Sequence, residues 1–60
     1  MGVKRETCWV SRGSGDDKEY QEVLYDHDTT DGTDTKTEIG RGQWIKTQPS
    51  TTAGQCSGVG

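Results

Sequence analysis

The chain has 60 residues, ten acidic against seven basic, a formal net charge of −3 and only 25% hydrophobic residues. A length like that supports one domain and buries about 60% of the unfolded surface, too little to enclose a deep, protected active site. The acidic balance gives no general pull toward nucleic acid or anionic lipid, and no apolar run reaches the length of a membrane span. Sparse apolar content makes disorder the main competitor of a folded core. Four aromatic residues and several alternating segments favour a folded core with loose ends.

Residues 3–11, Val-Lys-Arg-Glu-Thr-Cys-Trp-Val-Ser, read as a strand that puts Cys8 and Val10 on one face and Trp9 on the other. Met1–Val10 lacks the apolar stretch of a signal peptide, which leaves a mature or excised domain with an added Met-Gly, or an intracellular protein. Arg12 to Asp17 is glycine-rich and acidic and reads as an exposed loop. Residues 19–29 form the second strand candidate, centred on Tyr20, Val23, Leu24 and Tyr25. A helix near 17–25 is the alternative, because Tyr20, Val23 and Leu24 also have helical spacing, and it would make the fold α+β. The poor helix formers from Asp26 to Thr30 favour the strand.

Asp31-Gly32 is a hairpin turn signal, and Thr33 to Ile39 alternates without a break, the clearest strand in the chain. Gly40-Arg41-Gly42 is a second turn candidate, and residues 43–48 then read as a last strand ending at Pro49. Two-residue turns at both places would set Leu24 against Ile39 and Ile39 against Trp44, giving one apolar face. The same register sets Lys36 beside His27, Thr37 beside Asp26, and Glu38 beside Tyr25. The fold class expected is all-β: a small antiparallel meander or barrel-like domain of three to four strands over residues 1–49. Residues 50–60 form a Ser/Thr/Gly-rich tail, mobile unless Cys56 pins it.

Two cysteines, Cys8 and Cys56, offer the staple that so small a core needs. An even count in a short loop-rich chain favours a disulfide and an oxidising compartment, hence a secreted or cell-surface location. The alternative is a cytoplasmic protein with two reduced thiols, Cys8 serving as a small buried apolar residue.

Chemistry-bearing patterns are few. Counting Asp31 as position 5 of a calcium loop puts Gly32 and Glu38 at positions 6 and 12, but His27 and Thr29 then occupy positions 1 and 3. Asp26 and Asp28 fall out of register, so Asp26, Asp28, Asp31 and Glu38 read as the charged end of a hairpin and no metal is expected. One histidine and two distant cysteines lack any zinc-ligand spacing, and nothing places His27 beside a nucleophile. Gly40-x-Gly42 lacks the lysine of a phosphate loop, so no cofactor is expected. Arginine and tryptophan near a turn are residue types enriched in interfaces. Trp9, Arg41, Gln43, Trp44 and Lys46 are therefore the expected partner-binding residues, although Trp44 competes as core. Basic residues beside both tryptophans resemble a stacking surface for single strands, but the ten acids argue against nucleic acid.

The functional expectation is a non-enzymatic binding module for a protein or carbohydrate, acting through one sheet face and the 40–44 turn. The alternatives are a structural or accessory piece of a larger assembly, such as a virion or cell surface, with self-assembly open to it, and a small acidic intracellular inhibitor of a basic target.

Overall fold

A computed structural model describes residues 2–59. Among them β1 (Val3–Arg12), β2 (Glu19–Asp28) and β3 (Thr35–Arg41) form one open antiparallel sheet in the order β1-β2-β3. The expected all-β class holds. The helix weighed for 17–25 does not form; only a 3₁₀ turn at Gly15–Asp17 precedes β2. Helical spacing loses there to pairing, because β2 is the central strand and satisfies its backbone on both sides.

The Asp31-Gly32 turn is present, with Thr33 N–H donating to the Thr30 carbonyl at 3.0 Å. Asp31 has φ 56° and Gly32 φ 79°, the positive values that a primed hairpin turn requires at both central positions. This turn sets the expected register of His27 with Lys36, Asp26 with Thr37 and Tyr25 with Glu38, and nearest the turn Asp28 pairs with Thr35. Beyond Tyr25 a β-bulge intervenes, and Leu24 pairs with Gly40 rather than Ile39. The extra residue shifts register by one, so the expected alignment of Leu24, Ile39 and Trp44 is lost.

Nor does the chain turn back at Gly40-Arg41-Gly42. Neither glycine has a positive φ, Arg41 stays in β3 opposite Val23, and Gly42 N–H donates to the Glu22 carbonyl at 2.9 Å. Residues 43–48 make no fourth strand. They run on past β2, touching it through the bridge of Ile45 with Tyr20. The amide of Gln21, only 8% exposed, explains this course: its Nε2 donates to the Gly42 carbonyl at 2.9 Å and its Oε1 accepts from Arg41 at 3.0 Å. A buried amide needs such partners, and the straight 40–42 segment supplies them.

The core also lies on the face opposite the one expected. Cys8, Val23 and Tyr25 are each 1% exposed, and Val10, Cys56 and Val59 pack against them. Leu24 is half-buried on the other face, and Ile39 is 45% exposed. The disulfide supplies the reason. Cys8 and Cys56 are bridged, which draws residues 56–59 over the face that carries Cys8. The tail is thereby pinned along β1. Ala53 N–H donates to the Thr7 carbonyl, Trp9 N–H to the Gly54 carbonyl and Cys56 N–H to the Trp9 carbonyl, each at 2.9 Å.

The bridge closes a loop of 48 residues. On the loop-entropy model this restricts the unfolded chain by about 4 kcal/mol, against about 2 kcal/mol for each buried side chain. Replacing both cysteines by serine should therefore lower the unfolding free energy by about 4 kcal/mol in urea titrations. Hydrogen exchange should show the Trp9 amide losing protection at the same time.

Candidate functional site

Residues paired across an antiparallel sheet share a face, so the uncovered face can be read as rows. One row is Thr7, Leu24 and Gly40; the next holds Trp9 and Glu22, with Gly42 bonded alongside. Because two glycines stand where side chains would close the edge, an open groove of about 320 Å³ remains. It is lined by Thr7, Glu22, Leu24, Gly40, Arg41 and Gly42. A Cβ built on Gly40 meets nothing within 4 Å, so the space above this glycine is empty. Leu24 forms an apolar floor, and Glu22 puts a carboxylate at one end. Beside the groove Trp9 and Tyr20 pack edge-to-face with ring centroids 5.5 Å apart, and Lys18 stands over Tyr20. The half-buried aromatic pair presents ring surface that can serve as a contact shelf.

The five sequence-derived binding residues are not gathered at one place. Trp9 lies on the groove face. Arg41 lines the groove, but its guanidinium is committed elsewhere, at 2.8 Å from Glu38 and 3.0 Å from Gln21. That pairing holds Glu38 below the usual carboxylate range and raises Arg41. Trp44 is half-buried under Arg12, whose guanidinium carbon is 4.0 Å from the ring centroid, on the covered side of the sheet. Gln43 and Lys46 are exposed on the segment after β3.

The covered face carries a linked polar network. Tyr25 Oη donates to Glu6 at 2.8 Å, Glu6 lies 3.3 Å from His27 Nδ1, and His27 Nε2 bonds Asp34. Lys36 sits beside His27 in register but donates to the Ser57 carbonyl at 3.0 Å. The hydrogen bond and charge of His27 hold Asp34 below the usual carboxylate range. These groups tie strand to strand and to the tail; among the described residues the side-chain partners of His27 are Glu6 and Asp34. The four acids weighed for calcium are dispersed. Asp26 pairs with Arg5 at 3.2 Å, Asp28 accepts from Thr30, Asp31 sits exposed in the turn, and Glu38 pairs with Arg41. Among the described residues no three acidic, histidine or cysteine side chains converge on a metal-sized site.

The chain matches no protein-family model, no curated protein and no solved structure. Its site must be read from geometry. The sequence places Leu24 on an apolar face and Gly40 and Gly42 in a turn; Glu22 and the notch escape it because Gly-x-Gly resembles a turn. The usable signal is the spacing itself: glycines two apart on a strand fall on one face and leave a notch there.

Burial, the hydrogen bond to Glu6 and the Glu6 charge together push Tyr25 up to about 12 from its ordinary 10. A folded-state value above the unfolded one means that this contribution is complete below pH 10 and is lost as pH rises toward about 12. Absorbance titration of tyrosinate should show Tyr25 ionising near pH 12, with denaturant stability falling across the same interval. Tyr25→Phe should remove that alkaline loss and cost about 1 kcal/mol at neutral pH.

Proposed function

We propose that this chain is a non-enzymatic binding module that recognises a protein or carbohydrate partner on the uncovered face of its sheet. The observation that carries the reading is the glycine-walled groove over Leu24, flanked by the Trp9–Tyr20 shelf. Binding sites combine an accessible apolar floor with a few placed polar groups, and Thr7 and Glu22 are those groups here. The reading moves the recognition surface from the 40–44 turn to the strand face beside it. Trp9 stays in it, Arg41 contributes its position rather than a free charge, and Trp44 acts as packing. The Cys8–Cys56 bridge supports an oxidising setting, so secretion or display at a cell surface is part of the proposal.

Filling the groove tests it. Gly40 has no positive φ and its Cβ direction is open, so Gly40→Val suits an edge strand and should leave stability unchanged or raise it by about 0.5 kcal/mol. In a chemical-shift-mapped screen of glycans and peptides, ligands should perturb Thr7, Trp9, Glu22, Leu24 and Gly40. Gly40→Val should weaken them at least tenfold, about 1.4 kcal/mol. Ligands that map to the face under Cys56 and ignore Gly40→Val would refute the reading.

A further inference from the structure

The groove opens at the free edge of β3, and the two features together define an occupant. Thr29 N–H donates to the Gly2 carbonyl, so odd-numbered β2 residues exchange their backbone bonds with β1 and even-numbered ones with β3. The paired bonds of Tyr20 with Ile45, and Gly42 N–H to Glu22, agree with this alternation. Thr35, Thr37 and Gly40 therefore direct their backbone groups inward, and Lys36, Glu38 and Arg41 direct theirs outward. No backbone hydrogen bond from another described segment reaches those outward groups. The opposite edge differs: at Thr7 and Trp9 it is already filled by residues 52–56.

An extended segment added along β3 would lie about 4.8 Å from it. Its residue opposite Gly40 would project on the groove side, with no Cβ at Gly40 between it and Leu24. Glu22 at the far end is exposed, and its side chain has no hydrogen-bond or ion-pair partner among the described residues. Arg41, the nearest cation lining the groove, is turned away to Glu38 and Gln21. An apolar floor ending in an uncompensated carboxylate fits a side chain with an alkyl stem and a cationic head.

We infer that the groove takes a lysine or arginine side chain from an extended peptide that adds to β3 as a further strand. The inference rests on the groove being the recognition site, and it names the ligand class for that site. The stem lies over Leu24, the cation meets Glu22, and main-chain bonds form to Lys36 and Glu38.

The test uses the intact disulfide-bonded protein, isotopically labelled, and the peptide acetyl-Thr-Val-Thr-Lys-Thr-Val-Thr-amide. Matched peptides carry norleucine or glutamate in place of lysine. The lysine peptide should shift Glu22, Leu24 and Gly40 and slow exchange of the Lys36 and Glu38 amides. Norleucine should bind about threefold more weakly and glutamate weaker still, as expected for an exposed ion pair. Glu22→Lys should reverse the lysine–glutamate preference, and Gly40→Val should abolish binding of all three. Equal affinity for the three peptides, or binding that leaves the Lys36 and Glu38 amides unprotected, overturns the inference. Protection of those amides that grows with protein concentration alone, with a matching rise in mass, would assign the edge to a second copy and also overturn it. If glycans shift the groove and peptides do not, this inference fails and the groove reading survives. If nothing perturbs the groove, both fail.

Discussion

The covalent link between Cys8 and Cys56 is the constraint from which the rest of the architecture follows. A three-stranded sheet has two faces and too few apolar side chains to cover either alone. Tethering residue 56 to the middle of β1 brings Val59 and the Cys56 side chain over Val23 and Tyr25, and that face becomes the interior. The same tether lays residues 52–56 along β1, which satisfies that edge. It leaves one face and the β3 edge open to solvent, and these are the surfaces on which recognition can occur.

The second determinant is the irregularity between Leu24 and Tyr25. A bulge moves every later residue by one position relative to its partner strand, and a one-residue shift exchanges faces. Without it Ile39 would stand opposite Leu24 and close the sheet surface. With it Gly40 stands there, and a notch replaces a side chain. Gln21 fixes the arrangement from below by holding both Gly42 and Arg41. A buried amide on one face thus determines where a groove opens on the other.

Charge is distributed to match. On the covered side the partly buried Glu6 and Glu38 each have a basic or hydrogen-bonding partner, as carboxylates near a packed interior require, and the exposed Asp34 bonds His27. On the open side Glu22 has no ion-pair partner among the described residues. Solvent tolerates that lone carboxylate at little cost, and a cationic ligand would gain from it. The contrast separates groups that hold the fold together from one that remains available.

Much of this was legible in the chain. Alternation over 33–39, the apolar centre of 19–25 and the Asp31-Gly32 dipeptide placed two strands and their hairpin, and three of the expected cross-strand pairs near the turn are met. Those features are local: a period of two and a positive-φ turn are properties of neighbouring residues. The disulfide could be anticipated from two cysteines in a starved core. What lay beyond reach was which face would be buried, and whether Gly40-Arg41-Gly42 would turn or run straight. Those outcomes rest on contacts between residues far apart in the chain, Cys8 with Cys56 and Gln21 with Gly42. Burial and amide satisfaction are summed over such contacts, and no local window of sequence contains them.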